Sequence, residues 1–145
     1  MTTLGPLQVA LAGEHAAVYV YGVLGAQTSA SGTPQLYAAV SDAYATHRDR
    51  RDHLTELVLQ EGGTPVASDP AYEIPRSLGS ASAVARAALE LERRSAATYA
   101  WLVANTVRDQ RRWAITALRD TAVRELGFRG SPEIFPGARE SADRG

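Results

Sequence analysis

The sequence predicts an all-α four-helix bundle made of two antiparallel hairpins joined by one long crossover, and three observations carry that prediction. Apolar residues recur at alternating three- and four-residue spacing over four long segments, the signature of helices with one buried face. Alanine, the strongest helix former, dominates the apolar residues. The breaks between segments are rich in glycine and proline: Ser-Ala-Ser-Gly-Thr-Pro at 29–34, Gly62-Gly63, and a tail carrying Pro132 and Pro136.

The first helix is expected over about 4–27. The second covers about 34–61, started by Thr33 as N-cap with Pro34 in the first position and stopped by Gly62-Gly63. The third runs over about 80–105, beginning near Ser80 or Ser82. The fourth covers about 109–126, with Gly127 as its stop and an irregular tail at 127–145. Neighbouring antiparallel helices are usually joined by a few residues, so the connection at 62–79 is unusually long. A second helix of this length spans about 40 Å, and the extended connection can carry the chain back over that distance. Helices two and three then run parallel, with Tyr72-Glu73-Ile74-Pro75 pinning the crossing to the surface; this is the ferritin-like arrangement.

A chain of 145 residues supports one well-buried core and is short for two ordinary domains. Apolar residues at 45% and charged residues at 21% argue against disorder over most of the length. A formal net charge of -1, with acidic and basic residues interleaved, gives no basis for nucleic-acid binding. All fifteen basic residues are arginine. Cysteine is absent, which removes disulfides, thiolate metal sites and thiol nucleophiles. The apolar run from Ala16 to Ala26 is too short to span a bilayer and no signal-peptide pattern precedes it, so a cytoplasmic protein is expected. No phosphate-binding glycine loop, nucleophile elbow or zinc-protease helix is present.

The candidate site lies where polar residues interrupt the buried stripes. On helix two, seven consecutive polar residues, His47 to His53, occupy the whole circumference, so some must face inward. Extending the spacing set by Tyr37, Val40, Tyr44, Leu54 and Val58 selects His47 and Arg51. On helix one the stripe Leu4, Leu7, Leu11, Val18 and Tyr21 takes in Glu14. On helix three the stripe Ala85, Ala88, Ser95, Tyr99 and Leu102 takes in Glu92. Helix four offers Ile115, Leu118 and Ala122 and no inward carboxylate, with Asp120 off the stripe. His15 is expected at a surface or helix interface and His53 in solvent.

Two readings of Glu14, His47, Arg51 and Glu92 are open. As an ion-pair network they neutralise one another without a metal, each buried charge being paired as burial requires. As a reduced mononuclear site, Glu14, His47 and Glu92 offer two oxygens and one imidazole nitrogen, a set suited to iron, manganese or zinc. A dinuclear carboxylate centre would need a Glu-x-x-His pair on each of two helices. Tyr44 stands where the first glutamate belongs, and helix four has neither residue at that spacing. A guanidinium one turn from His47 opposes a cation there, so no cofactor is expected.

Ala12-Gly13-Glu14-His15-Ala16-Ala17-Val18-Tyr19-Val20-Tyr21-Gly22, His47-Arg48-Asp49-Arg50-Arg51-Asp52, Ala71-Tyr72-Glu73-Ile74-Pro75, and Glu92 followed by Ala97-Thr98-Tyr99 together resemble a ferritin-like domain of unknown function found mainly in GC-rich bacteria. The resemblance implies a ferritin-like fold and an intracellular, dimeric protein, and brings no established activity. Carried over position by position, ferritin ligands leave Glu14, His47 and Glu92. The expected function is that of a metal-free or degenerate-site bundle acting as a structural or interaction module, with a metal-binding oxidoreductase as the alternative. Ala16 to Leu24 is apolar on every side and must be covered by the crossover, the tail or a second subunit; a homodimer through the first helix is expected.

Overall fold

The computed structural model describes residues 2–129, and these form four helices: α1 (Leu4–Ala26), α2 (Pro34–Gln60), α3 (Ala81–Ala104) and α4 (Arg108–Arg129). Among the described residues there is no strand. Helix α1 packs along α2 and α3 along α4, so each short connection closes an antiparallel hairpin. Contacts at the site fix the remaining directions. Glu14 meets Tyr99 while Tyr21 meets Glu92, so α1 and α3 are antiparallel. Since α1 is antiparallel to α2 as well, α2 and α3 run parallel, and residues 61–80 carry the chain the length of the bundle between them.

Local chemistry sets the ends. Thr33 precedes Pro34 at the start of α2, but its hydroxyl bonds back to Ser29 instead of capping the helix. Ser80 caps α3 by accepting from the Ala83 amide at 3.2 Å. Gly62 ends α2 in the left-handed region at φ 79°. At Gly63 a Cβ would run into the end of the Leu4 side chain, so glycine lets the crossover leave α2 this close to α1 without moving that leucine. Gly127 does not end α4, which continues to Arg129; no residue of the tail at 130–145 belongs to the described part.

The core is in two apolar halves. One gathers Leu7, Leu11, Leu54, Val58, Tyr99 and Leu102. The other, at the opposite end, gathers Tyr21, Leu24, Val40, Ala43, Val84 and Ala88. Each large aliphatic side chain buried this way contributes roughly 1.5–3 kcal/mol. A polar layer separates the halves, and the candidate site lies in it.

The outer face of α1 is covered in part by the crossover. Gln8 exchanges hydrogen bonds with the backbone of Thr64 and Val66, His15 Nε2 lies 2.9 Å from the Val66 carbonyl, and the Tyr19 and Tyr72 rings meet at 5.5 Å. By length and composition α1 could cross a membrane, which the run from Ala16 to Ala26 taken alone could not. In this fold Leu7, Leu11, Val20, Tyr21 and Leu24 of that helix are core residues.

Two helices present a different face from the one the sequence predicts. On α2 the buried set is Val40, Ala43, His47, Arg50, Leu54, Leu57 and Val58, and Tyr37 is exposed. On α4 Ala114, Ala117, Thr121 and Glu125 face inward, leaving Ile115 exposed. In both cases alanines mark the buried face, and a small side chain is a weak signal beside a large one of the same helix.

Candidate functional site

Three of the four predicted residues meet. Glu14, His47 and Glu92 project from α1, α2 and α3 into the polar layer at 2%, 0% and 0% exposure. His47 Nδ1 lies 2.5 Å from Glu14 Oε2 and its Nε2 lies 2.9 Å from Glu92 Oε1. Each carboxylate also accepts from a tyrosine: Tyr99 donates to Glu14 Oε1 at 2.5 Å and Tyr21 to Glu92 Oε1 at 2.6 Å. The Tyr21 ring stacks on the imidazole at 5.3 Å. The result is a five-residue chain, Tyr99–Glu14–His47–Glu92–Tyr21, with the histidine at its centre.

The chemistry of that chain follows from what each group can donate. A neutral imidazole has one N–H and one lone pair, so against two carboxylates it would satisfy one and repel the other. The protonated ring donates to both. Burial works against the charged imidazole, but the Glu14 charge and hydrogen bond, followed by those of Glu92, outweigh it and raise the His47 pKa from 6.5 to about 9. Burial likewise works against ionised Glu92, and its hydrogen bond and attraction to His47, with help from Tyr21 and Arg124, lower its pKa below the ordinary value. Burial, followed by the adjacent carboxylate charge, holds both tyrosine hydroxyls protonated well above their ordinary range. They are donors at any physiological pH.

Arg51 is not part of this site. Its guanidinium lies at the surface, paired with neighbouring Asp52 at 2.7 Å. The inward arginine is Arg50, 6% exposed, which donates to Thr121 Oγ1 at 2.9 Å, the Ala117 carbonyl at 2.9 Å and Asp120 Oδ2 at 2.8 Å. It also lies over the Tyr99 ring at 4.9 Å. Three residues after His47 rather than four, Arg50 continues the register of Ala43 and Val40. Asp120 bridges Arg50 to Arg124, which donates onward to Thr46 at 3.1 Å.

Helix four does contribute an inward carboxylate, because Glu125 is 2% exposed. The apolar spacing of Ile115, Leu118 and Ala122 pointed to another face, and only the Ala114–Ala117–Thr121 series would have exposed it. Tyr21 and Tyr99 stood on the predicted stripes, but as apolar bulk; their place within one turn or two of an inward glutamate was the available sign of a hydrogen bond. His53 is not in bulk solvent, since its ring lies 4.7 Å from that of Trp113.

Both nitrogens of His47 are engaged by carboxylates, so coordination through the ring would require removing a proton and displacing a carboxylate. Among the described residues no three His, Asp or Glu side chains converge in an arrangement that could hold a metal ion. Glu92 Oε2 is the one oxygen of the three-residue core that is buried without a hydrogen-bond partner.

Comparison with known proteins places the chain in a family. Residues 6–140 match the model of a domain of unknown function, DUF4439. The chain is similar to the crystal structure of a conserved hypothetical protein, rv2844, from Mycobacterium tuberculosis, at 31% identity and a TM-score of 0.80, covering 91% of this chain and 93% of that one. No curated protein matches it. The chain belongs to the DUF4439 family.

Proposed function

We propose that this DUF4439 member is a metal-free, degenerate-site ferritin-like bundle acting as a structural or interaction module in the cytoplasm, with the His47 imidazolium standing where a cation would bridge two carboxylates. The observation that carries this reading is the double engagement of His47, by Glu14 at 2.5 Å and Glu92 at 2.9 Å. The hairpin–crossover–hairpin order supports the ferritin-like part. A bundle whose interior charge is already balanced does its work on its surface. Protein purified without chelator is expected to carry far less than one equivalent of any transition metal, and nitrogen-15 NMR at neutral pH is expected to find both His47 ring nitrogens protonated. Stoichiometric iron, manganese or zinc would overturn the proposal.

A second reading has one observation in its favour. Glu92 Oε2 is buried without a hydrogen bond. Under it, Glu14, His47 and Glu92 bind iron, manganese or zinc in a metal-dependent oxidoreductase after His47 gives up a proton. His47→Ala should then abolish metal uptake while the helical circular dichroism is kept; retained uptake rules this out. Nucleic acid has no place in either reading. A twofold homodimer through α1 would pair the part of that helix the crossover leaves open, where Val9 is 46% exposed, and light scattering of the purified chain decides it.

A further inference from the structure

An apolar cavity and a basic groove meet under the crossover. The cavity, about 300 Å³, lies between α1, α3 and the Tyr72–Glu73 stretch. It exists because α1 turns Ala10, Gly13 and Ala17 toward it, residues with almost no side chain to fill the space. Across from them α3 presents Leu91, Ser95 and Thr98. Thr98 is only 8% exposed, yet its hydroxyl makes no hydrogen bond among the described residues, where a helical threonine would usually bond the carbonyl four residues back. The hydroxyl oxygen is not among the fully buried polar atoms, so it is reachable from the cavity and able to bond water or a ligand there.

The groove, about 670 Å³, shares Glu73 and Arg94 with the cavity and so continues from it. Along it lie Arg76, Arg86 and Arg94, none of which forms an ion pair with any described residue, whereas neighbouring Arg93 is held by Glu90 at 2.6 Å. Two carboxylates also line the groove, Glu73 and the Glu90 that Arg93 already holds, which leaves three guanidinium groups without an ion pair among the described residues against Glu73. Ser77, between Arg76 and Leu78, adopts φ 63°, a conformation costly for a residue with a Cβ. The backbone is thus strained at the point where it turns along the groove. Glu14 also borders the cavity, but its oxygens already accept from His47 and Tyr99, which directs an anionic group to the arginine side.

We propose that cavity and groove together bind a single-chain anionic amphiphile, its hydrocarbon between Ala10, Ala17 and Leu91 and its carboxylate or phosphate head among Arg76, Arg86 and Arg94. A cavity of this size is at the small end of ligand sites, which suits one medium-length chain. Guanidinium groups supply charge-assisted, bidentate hydrogen bonds to either head group. The site is independent of the metal-free reading: metal analysis tests one and amphiphile titration the other.

Isothermal titration of the full chain with decyl phosphate, below its micelle concentration, should saturate at one molecule per chain. Inorganic phosphate should bind at least about tenfold more weakly, and decyltrimethylammonium should not saturate. Gly13→Leu fills the cavity from α1. Its Cβ would meet Thr98 only at an ordinary 3.9 Å, and leucine favours helix over glycine, so the melting temperature should hold while decyl phosphate binding is lost. Arg94→Gln should weaken decyl phosphate about tenfold and leave decanol unchanged. Absence of saturation, equal binding of the cationic amphiphile, inorganic phosphate binding as tightly as decyl phosphate, or full binding by Gly13→Leu would each overturn the proposal. Binding to phosphatidylglycerol vesicles that Gly13→Leu leaves intact would also overturn it, by putting the amphiphile on the outer surface.

Discussion

Two charged clusters occupy the same polar layer and differ in how they reach neutrality. Glu14, His47 and Glu92 are sealed from solvent, and one proton on the imidazole holds two carboxylates together. Arg50, Asp120 and Arg124 are joined through a carboxylate that is 47% exposed, so water screens that cluster from one side. The first depends on a titratable cation in a medium of low effective dielectric, the second on guanidinium groups that keep their charge. Charge in the dry cluster is therefore tied to folding, whereas charge in the wet one is tied mainly to local geometry.

The largest effect should come from removing the central cation. His47→Ala leaves two buried carboxylates facing each other and is expected to cost about 3–5 kcal/mol in urea denaturation at neutral pH. Replacing Glu14, His47 and Glu92 together by leucine should cost far less, because desolvation of all three charges is then avoided. A triple variant as unstable as the single one would show that the network contributes more than mutual neutralisation.

Alkaline pH reaches the same cluster without mutation. A His47 pKa raised from 6.5 to about 9 contributes stability that is complete below pH 6.5 and lost as pH rises through 9, a decline on the order of 3 kcal/mol. At the acid end the lowered Glu92 pKa acts with the opposite sign: its stabilisation is present above the ordinary value and lost as pH falls. Denaturation midpoints between pH 5 and pH 10 should fall at the alkaline end in the native chain and stay flat in the triple leucine variant.

The second cluster gives the smaller effects and the sharpest test of register. Arg50→Met removes three hydrogen bonds and strands the Thr121 hydroxyl, a loss of about 2–3 kcal/mol. Arg51→Met, one residue along, breaks only a surface pair with Asp52 and should change stability by less than about 0.5 kcal/mol. Equal effects at the two positions would remove the distinction between inward and outward arginine.

That pair also shows where sequence ceases to be enough. Glu14, His47 and Glu92 are legible because a polar residue stands out among Leu, Val and Tyr at helical spacing. Arg50 and Arg51 are adjacent in a wholly polar stretch, and extrapolating from Tyr44 selects one while extrapolating from Ala43 selects the other. The same ambiguity conceals Glu125, since Ile115 and Leu118 outweigh Ala114 and Ala117 in any hydrophobic count although the alanines are the buried ones. Close helix packing favours small residues, so in an alanine-rich bundle the most apolar face and the most buried face need not coincide.

By itself the sequence determined four helices, the long return between the second and third, and three ionisable groups directed inward, because spacing and chain breakers act locally. Tertiary structure alone decided how far each helix is rotated about its axis, and with it which arginine enters the core, which carboxylate α4 supplies, and that both nitrogens of His47 meet an acid. Those outcomes depend on which neighbouring helix is close enough to exclude water, and that is a property of the packed bundle as a whole.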